Sequence, residues 1–244
     1  TSIPIEVNAI PKSFMKKIKN HITHNDGHII FGAIEENMGN YYNSALLIGK
    51  DYEAIYRKNH LVPFGEFIPF KKYLSYIYQN WLNIPFTNLS KGEQKSVDLF
   101  KINDLGFAIN ICYEDVFGNE IAWYDKYSSE PNVLVNISND AWYGKSIAAE
   151  QHLQISQARA IENKKMMIRS TNTGVTAFID RDGRVLKKLQ QFTSGDLKHD
   201  VQGFIGTTPY MLFNNFIIYF LCIMTLLLYF RASIILNFKK LFFK

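Results

Sequence analysis

Short apolar runs separated by polar turns recur along the chain and predict β-strands. Residues 28–34 and 42–48 predict two strands joined by a polar turn over residues 35–40, and residues 52–56 predict a third. Residues 61–70 contain three backbone-restricting positions, at Pro63, Gly65 and Pro69, and therefore predict an ordered loop instead of a regular element.

The second half of the chain alternates strands with helical periodicity. Residues 107–111 and 133–137 predict core strands, because they are too apolar for a sheet edge. Residues 148–163 place apolar side chains at helical spacing and predict a helix, whereas residues 71–81 predict one only faintly.

Two further strands are predicted at residues 166–169 and 175–179. Asp182 and Gly183 then form a tight hairpin turn before Val185. Strands that alternate with helices, together with hairpins, indicate a layered α/β domain.

The C-terminal region differs in kind, because no charged residue occurs between positions 201 and 230. The stretch is long enough to cross a hydrocarbon core, which needs about 20 apolar residues. We therefore divide the chain into a folded domain over residues 1–206, a transmembrane helix over 207–230 and a basic tail over 231–244. A buried core helix is the alternative interpretation of the apolar stretch.

Positive charge follows the predicted span directly. Arg231, Lys239, Lys240 and Lys244 place the tail in the cytoplasm by the positive-inside rule. The preceding domain is then expected on the other side of the membrane, which in a bacterium is the periplasm.

Composition sets further bounds. The chain has 244 residues, a net charge of +5 and 47% hydrophobic residues, which suffices for one α/β domain with a substantial core. The lysines accompany no nucleic-acid-binding motif, so we expect no nucleic-acid partner.

The chain starts at Thr1 without a signal-peptide pattern, and we expect it to be part of a longer protein.

Cys112 is the residue with the clearest chemical potential. It ends the apolar strand 107–111 and precedes Tyr113, Glu114 and Asp115, as expected for a nucleophile presented on a sharp turn. A free cysteine is more often a small buried hydrophobe. The other cysteine, Cys222, lies in the apolar C-terminal stretch, so a disulfide between the two is not expected.

Histidines raise a separate possibility, which is metal binding. His21, His24 and His28 are closely spaced, but no second ligand cluster accompanies them, and Asn25-Asp26-Gly27 is typical of a turn. We interpret this segment as a solvated loop, interpret the isolated His152 as structural, and expect neither a metal nor another cofactor.

A thiol nucleophile requires a lowered pKa or a base, and a lysine can stabilise both the thiolate and a later oxyanion. Lys58 and Glu66 flank an apolar, proline-bounded loop, which is an unusual setting for two charged side chains. Each of them taken alone would still be interpreted as a solvated surface charge.

Five segments carry a resemblance to a known family: residues 58–69, 112–114, 138–146, 169–177 and 206–210. In this order they resemble the nitrilase-type domain of the bacterial apolipoprotein N-acyltransferase family, within the wider carbon–nitrogen hydrolase superfamily.

The resemblance implies an α-β-β-α sandwich with one C-terminal transmembrane helix and a Glu-Lys-Cys triad. Cys112 would take an acyl chain from a phospholipid, for which phosphatidylethanolamine is the candidate, and hold it as a thioester. It would then pass the chain to the α-amine of a diacylglyceryl-cysteine on an apolipoprotein. Lys58 matches the catalytic lysine and Glu66 a second essential glutamate. Tyr113 and Glu114 match the pair that supports the nucleophile.

The same resemblance implies contacts with lipid. Aromatic side chains that could touch acyl chains or form a lid, or simply pack in the core, are Phe64, Phe67, Phe70, Tyr73, Tyr76, Tyr78 and Trp81.

Two departures from the family pattern accompany the match. The base glutamate would precede Thr1, since Thr1-Ser2-Ile3-Pro4 matches the end of its motif and Glu6 does not match. The N-terminal membrane helices of the family are not in this sequence. We therefore expect little turnover from this segment alone. An amidase that uses water as acceptor, and an inactive lipid-binding remnant, are the competing hypotheses.

Overall fold

The computed structural model describes residues 3, 5–50, 53–70, 88–93, 99–122 and 130–242. The predicted helix over 71–81 and the aromatic residues Tyr73, Tyr76, Tyr78 and Trp81 lie outside these residues.

A small antiparallel sheet is built from β1 (Ile29–Asn37), β2 (Asn40–Ile48) and β3 (Glu53–Arg57), in that order. The β1–β2 connection is tighter than the predicted turn over residues 35–40. Met38 and Gly39 both have positive φ, 50° and 79°, which is the geometry of a two-residue hairpin turn. The polar residues on either side therefore continue the strands, and the predicted extent of the turn is wrong.

A larger sheet follows the order of the chain. Its strands are β4 (Phe100–Ile102), β5 (Leu105–Ile111), β6 (Val133–Ser138), β7 (Met166–Thr171), β8 (Thr176–Ile179) and β9 (Val185–Leu189). β5, β6 and β7 run parallel, and the outer pairs are antiparallel. β6 is buried along its whole length, as the apolar sequence predicts.

Five α-helices complete the described part of the fold: α1 (Lys12–Asn25), α2 (Gly118–Ile121), α3 (Ala148–Asn163), α4 (Pro209–Phe213) and α5 (Phe216–Phe242). Single 3₁₀ turns span Val7–Ala9, Cys112–Val116 and Asp140–Tyr143. The helix predicted over residues 148–163 is confirmed at both ends.

The elements stack in four layers. α1 packs on the small sheet through a cluster that contains Ile22 and Phe31. The small sheet packs on the large one through a cluster that contains Leu47 and Val135, and α3 covers the outer face of the large sheet through a cluster that contains Leu134. The predicted α-β-β-α sandwich is confirmed.

α1 corrects one interpretation of the sequence. His21 and His24 belong to this helix, not to a solvated loop, and the predicted turn begins only after Asn25, where Asp26 adopts φ 49°. The helix was missed because lysines and histidines occupy most of its exposed face. In the part of the chain that the structure describes, no group of three potential metal ligands occurs.

The C-terminal helix α5 is exposed along residues 216–232. Its segment Phe216–Ser233 has a mean hydropathy of 1.9 and none of it is buried, so a buried core helix is excluded. This single helix has the length and composition of a transmembrane helix. α4 precedes it and ends at Asn214, whose φ of 46° breaks the helical path. The division of the chain at residues 206 and 230 stays a prediction.

The connection to α4 is fixed to the domain by buried polar contacts. Lys165, 1% exposed, directs its Nζ to Glu130 and to the carbonyls of Phe204 and Gly206, at 3.2–3.4 Å. Thr208 donates from Oγ1 to the Glu162 carbonyl at the end of α3. Burial lowers the pKa of Lys165, and its Glu130 partner opposes that shift.

Shortening Leu134 tests the packing of α3 on the large sheet. Leu134 is fully buried, so Leu134→Ala should lower the free energy of unfolding by about 2–5 kcal/mol through lost burial and a residual cavity. Leu186→Ala is the control, because Leu186 is 41% exposed on β9. Urea unfolding followed by circular dichroism in detergent measures both. Equal losses in the two variants would contradict the assigned core.

Candidate active site

The site begins where β5 ends and the chain turns sharply. Cys112 follows Ile111, adopts φ 54°, and opens the 3₁₀ turn Cys112–Val116. A non-glycine residue with positive φ is uncommon and strained, and such elbows present nucleophiles above a sheet edge. The Cys112 side chain is partly accessible, and its thiol is not in a disulfide. The predicted turn at this position is confirmed.

Glu114 is buried next to the elbow and accepts hydrogen bonds from four donors. Its carboxylate accepts from the Tyr56 hydroxyl at 2.9 and 3.0 Å and from the backbone N–H groups of Asn59, His60 and Ile111 at 2.7–3.0 Å. Both oxygens therefore already accept hydrogen bonds, which makes Glu114 a structural anchor.

Lys58 and Glu66 form an ion pair in the same region. Lys58 Nζ lies 2.8 Å from Glu66 Oε2, and the lysine side chain is only 1% exposed. Glu66 also accepts from the backbone N–H of Val62 and from Asn43 Nδ2, each at 2.8 Å. The glutamate thus keeps the buried ammonium compensated and fixes its direction.

Glu114 connects these two parts of the site. The Asn59 and His60 amides that it holds follow Lys58 directly, while the Ile111 amide that it holds precedes Cys112. The loop that carries the lysine and the elbow that carries the thiol are therefore fixed to one carboxylate.

Tyr113 joins an aromatic group beside the elbow. Its ring makes edge contacts with His60 and Phe117, and His60 stacks on Phe117 with ring centroids 3.5 Å apart. His60 Nδ1 also lies 2.9 Å from a Glu120 oxygen. Of the residues predicted from the sequence, Lys58 pairs with Glu66, and Glu114 joins the loop after Lys58 to the strand end before Cys112. The catalytic roles of these residues are proposals.

A charged network under the elbow was missed by sequence reasoning. Arg169 is completely buried and donates to Asp115 at 3.3 Å and to Asp140 at 2.8 Å. His152 bridges the same two carboxylates, with Nε2 2.9 Å from Asp115 and Nδ1 3.1 Å from Asp140. Two basic side chains thus face two acidic ones, and all four are buried.

These contacts shift the pKa values of the network. Burial alone would lower the pKa of His152, but hydrogen bonds to Asp115 and Asp140 outweigh it and raise the pKa to about 9. Burial alone would raise the pKa of Asp140, but His152, Arg169 and Ser138 outweigh it and lower the pKa to about 2. His152 is therefore an imidazolium at neutral pH.

Only a weak signal in the sequence pointed to this network. Asp115 adjoins the Cys-Tyr-Glu string, and Asp140 and Arg169 lie inside segments that carry the resemblance, but His152 stands alone on a helix. Pairing of charges between separate elements cannot be deduced from spacing along one chain.

Exposed aromatic side chains occur on two segments that also carry residues of the site. Phe64 and Phe70 lie on the loop after Lys58, and Phe70 is 76% exposed; Trp142 and Tyr143 lie on the turn after β6, and Trp142 is 72% exposed. Burial and the neighbouring Cys112 raise the pKa of Tyr143, so this tyrosine lies near the thiol. Exposed apolar side chains of this kind are typical of surfaces that contact an apolar ligand.

Comparison with known proteins now decides the family. The family model described as carbon–nitrogen hydrolase matches residues 3–210, which is most of the chain. The chain belongs to the carbon–nitrogen hydrolase family.

Two curated relatives carry the same name. The apolipoprotein N-acyltransferase of Nitrosomonas europaea is 43% identical over 222 residues, which cover 89% of this chain and 43% of that protein. The enzyme of the same name from Neisseria meningitidis serogroup A is 37% identical, over 86% of this chain and 42% of that protein. The chain therefore spans less than half the length of these relatives.

Solved structures support the fold. The carbon–nitrogen hydrolase superfamily protein XC1258 of Xanthomonas campestris superposes with a TM-score of 0.55 at 16% identity, over 77% of this chain and 66% of that one. The C. elegans NitFhit protein also gives 0.55, at 18% identity, over 74% of this chain and 43% of that one. At these identities the likeness shows a nitrilase-like fold alone.

The shifted pKa values predict how stability depends on pH. The folded-state pKa of His152, about 9, exceeds its ordinary 6.5, so its contribution is complete below pH 6.5 and is lost as the pH rises through 9. Asp140 has a lowered pKa, so its contribution is present above pH 3.8 and is lost as the pH falls through about 2.

We expect the free energy of unfolding to drop by about 3 kcal/mol between pH 6.5 and 9 in the unchanged protein, as measured by urea unfolding. His152→Gln should make the free energy of unfolding depend less steeply on pH in this range, because it removes the titrating group. His24→Gln, at an exposed position on α1, should leave the slope unchanged. An identical slope in the His152 variant would refute the assignment.

Proposed function

We propose that the protein transfers an acyl chain from a phospholipid to the N-terminal S-diacylglyceryl-cysteine of apolipoproteins. The observation that carries this proposal is the elbow at Cys112, tied by Glu114 to the buried Lys58–Glu66 pair. The exposed aromatic side chains and the names of the similar relatives support a lipid substrate and the acyl-transfer reaction.

In the first step, the Cys112 thiolate attacks the sn-1 ester carbonyl of the donor, for which phosphatidylethanolamine is the candidate. A C–S bond forms, the ester C–O bond breaks, and the thiol proton passes through the base to the departing lysophospholipid oxygen. Lys58 stabilises the thiolate and then the oxyanion by its positive charge.

In the second step, the α-amine of the acceptor attacks the thioester. A C–N bond forms, the C–S bond breaks, the amine loses a proton to the base, and the thiol is restored. Both steps share one oxyanion position, so the same groups serve both half-reactions.

Glu66 supports this cycle in a defined way. Its contact with Lys58 gives the buried lysine side chain a partner of opposite sign, and a buried charge without a partner would be costly. Since Glu114 is fully engaged with four donors, we assign the base to a different carboxylate.

The proposed location follows from the substrates and from α5. We propose that α5 anchors the protein in the bacterial inner membrane, with the catalytic domain in the periplasm and the basic tail in the cytoplasm. The apolar, unburied Phe216–Ser233 segment and the positive charge after it support this arrangement.

Replacing the nucleophile tests the reaction. In the complete protein, Cys112→Ser should abolish acyl transfer from phospholipid to a diacylated peptide without unfolding the domain. Intact-mass analysis of the unchanged protein with phospholipid should show one acyl group on Cys112. Cys222→Ser is the control and should retain transfer, because Cys222 lies on the exposed α5.

Three results would count against the proposal. Undiminished acyl transfer by the Cys112→Ser variant would show that Cys112 is not the nucleophile. Thioester formation followed only by hydrolysis, with no acylated peptide, favours an amidase-type hydrolase. Phospholipid binding without any acyl-enzyme favours an inactive lipid-binding remnant.

Reporter fusions test the orientation. Green fluorescent protein fused after Lys244 should fluoresce, because it stays in the cytoplasm, and alkaline phosphatase at the same point should be inactive. Fusion after Asn214, ahead of α5, is the matched control and should give the reverse pattern. Active phosphatase after Lys244 would overturn the orientation.

A further inference from the structure

The peptide group between Cys112 and Tyr113 is held from behind by two buried side chains. The Cys112 carbonyl oxygen lies 3.1 Å from Asn136 Nδ2 and 3.3 Å from His152 Nε2. Asn136 is fully buried on β6 and His152 is buried on α3, so both contacts come from the core side of the elbow.

The planarity of the peptide bond fixes the opposite side of this group. None of the described peptide bonds is cis, so the N–H of Tyr113 points away from the Cys112 carbonyl. Because that carbonyl faces the core, the Tyr113 N–H points to the outer side of the elbow, away from Asn136 and His152. This N–H, next to a nucleophile on a strained turn, has the geometry of an oxyanion donor.

The neighbours of Asn136 determine which of its amide atoms faces the carbonyl. Arg169 Nη1 lies 2.9 Å from Asn136 Oδ1, and a guanidinium can only donate. The amide oxygen must therefore face Arg169, which turns the Nδ2 donors towards Cys112 and towards Asn110 Oδ1, 2.6 Å away.

His152 is constrained in the same manner. Asp140 accepts at Nδ1 and Asp115 accepts at Nε2, so both ring nitrogens carry hydrogen, and the Nε2–H is shared between Asp115 and the Cys112 carbonyl. A charged donor on the carbonyl oxygen withdraws electron density from the peptide group. The N–H at the other end of that group then becomes a stronger hydrogen-bond donor.

We propose that His152 and Asn136 are positioning residues that hold and polarise the Cys112–Tyr113 peptide group, so that the Tyr113 N–H is aimed at the oxyanion formed during acylation. This inference rests on the proposed acylation of Cys112. Neither side chain touches the substrate, and both act through a backbone group.

The test compares two reactions of the same thiol in the complete protein. Acylation by a p-nitrophenyl ester builds an oxyanion, and the burst of p-nitrophenolate gives its rate. Alkylation by iodoacetamide displaces iodide at a saturated carbon and builds no oxyanion, so it reports only the accessibility and ionisation of the thiol.

Asn136→Asp and His152→Ala should lower the acylation rate at least about tenfold while alkylation stays within about twofold. Asn136→Asp keeps an acceptor for Arg169 but removes the donor to the carbonyl. His152→Gln restores a donor at the position of Nε2 and should recover most of the acylation rate. Gln154→Ala, at an exposed position of α3, is the matched control and should change neither rate.

Parallel losses of acylation and alkylation would show a merely structural role and overturn the inference, as would unchanged acylation in Asn136→Asp. If circular dichroism shows that His152→Ala is unfolded, Asn136→Asp decides alone. The outcome is independent of lipid specificity: normal ester acylation without acyl transfer to a diacylated peptide would remove the proposed function but leave this inference intact.

Discussion

The carboxylate of Glu114 is the interaction on which the site depends. It accepts hydrogen bonds from a tyrosine hydroxyl on the small sheet, from two backbone amides in the loop after β3, and from the amide of the last residue of β5. Its four donors come from both sheets of the sandwich, so the carboxylate is satisfied only when the two sheets are docked. Assembly of the site is thereby coupled to closure of the central core. A carboxylate buried without these donors would cost several kcal/mol.

Charge compensation shapes the layer below. Asp115, Asp140, His152 and Arg169 pair two acidic with two basic side chains, and all four are buried. Each of these residues comes from a different element: the elbow, the turn after β6, helix α3 and strand β7. A network of this type stabilises little compared with well-packed apolar residues, but removing one member leaves a buried charge without a partner. It therefore fixes the relative position of the elements beneath the thiol.

The sequence predicted what is local and periodic. Helix α3 was bounded correctly because its apolar spacing is regular, and the elbow at Cys112 was found because an apolar strand stops abruptly at a thiol. Helix α1 was missed because polar residues dominate its surface, and β4 because three residues carry too little pattern. The resemblance supplied Lys58 and Glu66, yet the direct contact between them is a property of the folded loop. His152 was recognised only as structural, since its partners are 12 and 37 residues away in the chain.

The left-handed backbone of Cys112 has an evolutionary consequence. Holding a side chain at φ 54° costs about 1–2 kcal/mol, which glycine at this position would not incur. Selection for stability alone would therefore replace the residue proposed as the nucleophile. The surrounding hydrogen bonds offset the penalty, and the elbow persists as a compromise between robustness and reactivity. Cysteine at position 112 is therefore a residue that folding alone does not favour.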